Sequence, residues 1–200
     1  MQDRSKGVNT GWRNHVKGTR KEISDFYAKL DLVPGKKTVS LFISSDDEIG
    51  VSKVYLPFVI DQFEWVERNV EYFKNKGDYQ LIIRVHPNII GVSGTNLQFL
   101  RKIIKIKKNL PDNVKVVMPQ DDINSYQIIE ISEVVLTYFS SLCLEAALMG
   151  KPVMDATKGQ FYDKGFSISL KDKNDYESLL DSILLQSISS ERMTAAYRYA

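Results

Sequence analysis

One cysteine and two histidines stand in 200 residues. A single thiol, Cys143, excludes an internal disulfide and points to a reducing compartment. Set among apolar neighbours, it reads as a buried structural thiol rather than a reactive one. So few soft ligands argue against a Cys/His zinc site. Charge of one sign is lacking too: 27 Lys+Arg against 25 Asp+Glu leave a formal net charge of +2. No general pull toward nucleic acid or a membrane surface follows. No apolar run approaches the roughly 20 residues of a membrane-spanning helix, and the first residues are polar rather than signal-like. A cytoplasmic protein is expected. The dinucleotide fingerprint G-x-G-x-x-G and the Walker A loop are both missing, as are internal repeats and low-complexity segments.

What is present has the composition of an ordinary globular chain, 43% hydrophobic and 26% charged, long enough for one good-sized domain with a real core. The polar first twenty residues, and a last helix without a cap, read as the ends of a piece of a longer protein. We expect residues 1–37 to be an N-terminal extension and helix, the remnant of a linker or of a truncated acceptor domain. Residues 38–200 are expected to form a Rossmann-like nucleotide-binding domain.

Apolar residues at Ile23, Phe26, Tyr27 and Leu30 predict an amphipathic helix over 21–32, which Pro34-Gly35 ends. Residues 38–43, 80–85, 114–118 and 134–138 are short, β-branched runs bounded by polar residues, as buried parallel strands are. Further strand is expected at 167–170. Between them lie helical patterns at 59–73, 97–109, 125–131, 142–149 and 176–185. The basic outer side of the 97–109 helix reads as a solvated face. Strand alternating with helix predicts an α/β fold, a Rossmann-like parallel sheet with helices on both faces.

Such a sheet collects its ligand loops at the carboxyl ends of the strands. Four loops qualify: 44–48, 86–88, 119–125 and 139–142. Pro87 ends one strand and aims His86 from it. Ser140-Ser141 stands between a buried strand and an apolar helix, where unpaired first-turn N–H groups and the helix dipole favour an anion. Ser140 occupies the expected N-cap, Gly150 the αL position that stops the helix, and Pro152 forbids its continuation. Glu145 is the odd carboxylate among Leu142, Cys143, Leu144, Ala146 and Ala147, about one turn in. Asp46-Asp47 and Asp121-Asp122 are carboxylate pairs of the kind that hold magnesium. We read both as loop turns and capping residues, and expect no metal.

Together, LIIRVHPN, DDINSYQIIEISEVVLTYFSSLCLEAALMGKPV and VSLFISSDDE resemble the nucleotide-binding C-terminal half of a GT-B glycosyltransferase. The likeness runs over about residues 38–185. It is to bacterial capsule and surface-polysaccharide transferases, Kdo-transferase-like and sialyltransferase-like, and more distantly to teichoic-acid glycerophosphate transferases. The resemblance implies a nucleotide-sugar donor, CMP-, UDP- or GDP-linked, with no further cofactor. His86 would contact the leaving phosphate, Ser140 and Ser141 the phosphates, and Glu145 the ribose. The backbone of Met118, Pro119 and Gln120 would flank the base, and Ser45, Arg84, Ser125 and Tyr126 complete the substrate-binding set. A polysaccharide or lipid-linked acceptor, and the general base, would belong to a missing domain, so the fragment alone is expected to be inactive. Nucleic acid is not an expected partner, and the full-length protein has room for peripheral membrane association. Alternatives that share the architecture are a sugar-nucleotide epimerase, a polyol-phosphate transferase and a non-catalytic Rossmann-like interaction domain.

Overall fold

A computed structural model describes residues 21–45, 60–89, 94–159, 161–185 and 190–199. The acidic stretch 46–48, with the Asp46-Asp47 pair, and residues 1–20 lie outside them. Six parallel strands form one sheet: β1 (Lys37–Phe42), β2 (Tyr79–Arg84), β3 (Val114–Val117), β4 (Ser132–Thr137), β5 (Val153–Asp155) and β6 (Ile168–Ser169). Their order is β3-β2-β1-β4-β5-β6, the Rossmann arrangement in which the chain first winds one way and then the other from the centre.

Side-chain alternation along each strand decides which helices cover which face. Val39, Leu41, Leu81, Ile83, Val134 and Leu136 share one apolar cluster with Trp65, Val66 and Phe73 of α2 (Gln62–Lys74), Ile103 of α3 (Gly94–Lys107) and Leu180 and Ile183 of α6 (Tyr176–Leu184). Phe42, Ile82, Val117, Val135 and Val153 face the other way. They pack on Phe26 of α1 (Ile23–Leu30), Ile128 and Ile129 of α4 (Ser125–Ile131), Cys143, Ala146 and Ala147 of α5 (Leu142–Leu148), and Ala196 of α7 (Ser190–Tyr197). Residues buried on both sides explain why these strands read as near-continuous apolar runs.

Boundaries follow local chemistry. Asp61 caps α2, its carboxylate accepting from the N–H groups of Phe63 and Glu64 at 2.8 and 3.2 Å, and Asn124 caps α4 through the Tyr126 N–H at 2.9 Å. Helix α5 closes with two reversed bonds: Gly150 N–H donates to Ala147 O and Lys151 N–H to Ala146 O, both 3.0 Å. Gly150 has φ +78°, so this is a Schellman ending, followed by Pro152. The start of α5 differs from expectation. Ser141 is the capping residue, in helical φ/ψ and without a side-chain cap bond, while Ser140 Oγ accepts from the Leu142 N–H at 3.3 Å.

A Cβ at Gly150 would meet nothing within 4 Å, so replacing it isolates the backbone term. Gly150→Ala is expected to cost about 1 kcal/mol through the positive φ alone, seen as a lower urea midpoint with an unchanged m-value.

Candidate functional site

The strand order reverses between β1 and β4, the place at the carboxyl edge where sheets of this order have their ligand crevice. Ser44, just past β1, ties its walls together. Its N–H donates to Gln62 Oε1 at 2.9 Å, and Gln62 Nε2 returns a bond to Ser44 O at 3.2 Å. Its hydroxyl donates to the carbonyls of Tyr138 and Phe139, just past β4. Tyr138 is held in turn by its hydroxyl on Ile60 O at 2.8 Å and by its ring, 5.7 Å from that of Trp65. Next to Ser44, the Ser45 hydroxyl is buried and has no hydrogen-bond partner. A buried hydroxyl left open at a ligand edge is where an incoming polar group gains most.

The turn that follows β4 is strained. Phe139 has φ +46°, a left-handed conformation that side-chain-bearing residues adopt at a cost. Its ring lies over Gly159, where a Cβ would come within 2.9 Å of Phe139 Cδ2. Only a glycine leaves that ring its seat. Out of this turn emerge Ser140, half-buried, and Ser141, exposed.

On the other side of β1, strand β2 delivers Arg84 and His86. Arg84 is 1% exposed, and its guanidinium donates to Met118 O at 2.8 Å, Ile123 O at 3.4 Å and Ser125 Oγ at 3.4 Å. Burial pulls its pKa down to about 10, against the attraction of Asp121. This arginine therefore shapes the 118–125 loop from beneath. Asp121 closes the same loop by accepting the Met118 N–H at 2.8 Å. Asp122 pairs with Lys21 and Lys29 at 3.1 and 3.5 Å. Met118 and Pro119 are buried and Gln120 is exposed. His86 Nδ1 accepts the Asn88 N–H at 3.2 Å, which leaves the proton of the neutral ring on Nε2.

The two halves of the edge meet through Tyr126, whose hydroxyl donates to Glu145 Oε2 at 2.6 Å. Glu145 is half-buried, so this bond offsets the cost of a carboxylate in an apolar helix. The expected residues thus fall into contact groups, Arg84 with Met118 and Ser125, and Tyr126 with Glu145. His86, Ser45 and Ser140 leave three adjacent strands, β2, β1 and β4, spaced about 4.8 Å apart. The thiol of Cys143 is buried and pushed well up by that burial, as a structural cysteine should be.

One functional group escaped the sequence reading. Asp155 ends β5, is 3% exposed, and accepts at Oδ1 from the Thr157 N–H at 3.3 Å and the Thr157 hydroxyl at 3.1 Å. Burial pushes its carboxyl up to about 7, against the pull of the Thr157 hydroxyl and of the Thr157 and Phe139 amides. It lines a recess of about 20 Å³, room for one water-sized group, together with Phe139, Ser140, Gly159 and Phe161. The available signal was a carboxylate closing an apolar run with a threonine two residues on, the pattern of an Asx turn.

No protein-family model matches the chain, and no curated protein matches it. Solved structures do. The KpsC β-Kdo 2,4 transferase of Thermosulfurimonas dismutans superposes with a TM-score of 0.57 at 16% identity, over 97% of this chain and 51% of that one. The wall teichoic acid polymerase TagF follows at 0.52 and 15%, over 88% of this chain and 41% of that one. Sucrose-phosphate synthase of Thermosynechococcus elongatus gives 0.52 and 16%, over 88% and 44%. The chain therefore spans 41–51% of the length of these neighbours. At such identities the likeness establishes the fold.

The buried carboxyl makes stability depend on pH. Its folded pKa, about 7, lies above the ordinary 3.8, so the folded state holds the proton more tightly. The stabilisation is complete below about pH 4 and is lost as pH rises to 7, by on the order of 4 kcal/mol. Urea unfolding of wild type and Asp155→Asn across that range should show the difference between them growing with pH in favour of the asparagine.

Proposed function

We propose that this chain is the donor-nucleotide half of a GT-B glycosyltransferase that builds capsular or other surface polysaccharide. The observation that carries the reading is the switch point itself. A strained serine turn, an unpartnered buried hydroxyl and a polar strand end from β2 converge on the β1/β4 crevice, where sheets of this order bind ligands. The fold shared with a Kdo transferase, a teichoic acid polymerase and sucrose-phosphate synthase supports it.

In this reading Ser140 and Ser141 receive the phosphates, through hydroxyls and through the amides behind them. Glu145, oriented by Tyr126, takes the ribose hydroxyls. The Met118–Pro119–Gln120 backbone, held down by Arg84 and Ser125, flanks the base. The Nε2 proton of His86 points its positive end at the leaving phosphate, and Ser45 offers its open hydroxyl beside it. As the bond from sugar to phosphate breaks, these donors stabilise the charge that develops on the phosphate oxygen. The acceptor and the general base belong to the other half of the enzyme.

Calorimetry with CMP, CDP, UDP and GDP tests the reading, and binding of none of them would leave an interaction domain in its place. The nucleotide preferred also sorts the transferases: a strong preference for CDP favours polyol-phosphate transfer, the chemistry nearer the teichoic acid polymerase. Ser140→Ala/Ser141→Ala should weaken diphosphate binding by about 1.5–3 kcal/mol while nucleoside binding holds; equal losses for both would make the pair a helix start and nothing more. Glu145→Gln should lower affinity for ribonucleotides and leave the thermal midpoint nearly unchanged. A large fall in midpoint with intact affinity would assign the carboxylate a structural role.

A further inference from the structure

Asp155 lines the same recess as Ser140 of the serine turn. A carboxylate is an odd neighbour for an anion. The groups that face it are the Thr137 hydroxyl of the paired β4 residue, the Cys143 thiol of α5 and Thr157 of its own loop, with Ser169 opposite it in the β6 register. None of these is a cation at neutral pH, and among the described residues no lysine, arginine or histidine is among the groups that act on the carboxyl. An ionised Asp155 is therefore held by neutral donors, and a diphosphate arriving at the turn brings further negative charge into the same low-dielectric corner. Like charges so placed do not coexist; the group that can take a proton does so.

We propose that Asp155 is the proton-accepting member of this anion site, so that binding of a nucleoside diphosphate at the serine turn is coupled to uptake of one proton by its carboxylate. The inference rests on the reading of the turn as a phosphate site. The proton comes from solvent, and the carboxylate becomes a neutral carboxylic acid. One of its oxygens keeps the Thr157 bonds, and the new O–H becomes a donor at a recess with room for a single phosphate oxygen or water. Repulsion is thereby exchanged for a hydrogen bond. The free carboxyl, already pushed up to about 7 by burial, titrates where this coupling is largest.

The test is calorimetry at pH 8, where the second ionisation of phosphate, near about 6, is complete. The tightest binder among CDP, UDP and GDP, and its nucleoside, are titrated in two buffers of different ionisation enthalpy. We expect uptake of about half a proton or more with the diphosphate, none with the nucleoside, and none with the diphosphate on Asp155→Asn. The wild-type affinity should also fall by up to tenfold per pH unit between about pH 7.5 and 8.5, with a flatter profile in the variant. Diphosphate binding with equal proton counts in wild type and variant would overturn the inference and leave the phosphate site standing. No binding by any of the three nucleotides would overturn both. If Asp155→Asn does not fold, difference infrared spectroscopy of the wild type decides: a carboxylic-acid band appearing on ligand addition supports the coupling, and its absence refutes it.

Discussion

The hydroxyl of Ser44 does what the sheet alone cannot. The parallel ladder between β1 and β4 ends at the Phe42–Thr137 pair. Ser44 replaces that ladder with side-chain bonds to the Tyr138 and Phe139 carbonyls, while its amide and carbonyl are bound by Gln62 of α2. Three elements distant in sequence are thus fixed at one point, where Ser44, Gln62 and Tyr138 are buried and hydrogen-bonded. The turn that carries Ser140 inherits its position from this clamp, and the left-handed Phe139 can persist only because its surroundings over-determine it.

Two ionisable groups are buried at the same edge, and they solve opposite problems. Arg84 lies under the 118–125 loop and gives its N–H groups to oxygens of that loop. It behaves as a charged staple for a segment with little regular structure of its own. Because its partners are backbone carbonyls and a hydroxyl, its charge is distributed rather than paired with one carboxylate, and desolvation outweighs the Asp121 field. Asp155 is held by hydroxyl and amide donors of Thr157, Phe139 and Thr137, and desolvation still raises its pKa. A rigid 118–125 loop and a titratable recess beside Ser140 are the two consequences. They flank the crevice on β2–β3 and β4–β5 respectively.

Much of this architecture was legible in the chain. Hydrophobic periodicity is local, so the β-branched runs ending at Phe42, Arg84, Val117 and Thr137 declared themselves as strands, and Gly150 with Pro152 announced the end of α5 through dihedral preferences that need no neighbour. Parallel topology followed from the alternation with helices, and with it the edge on which His86 and Ser140 emerge. The short β5 was not legible as a strand, because three residues carry no period, and Asp155 was lost with it. Partners were decided by the tertiary structure alone. Whether Arg84 faces a ligand or a loop carbonyl depends on where β3 lies, and whether Glu145 is open or bonded depends on a tyrosine 19 positions away on another helix. Hydrogen bonding is short-ranged and directional, so side chains that read alike in one dimension acquire different roles when the order of the strands chooses their neighbours.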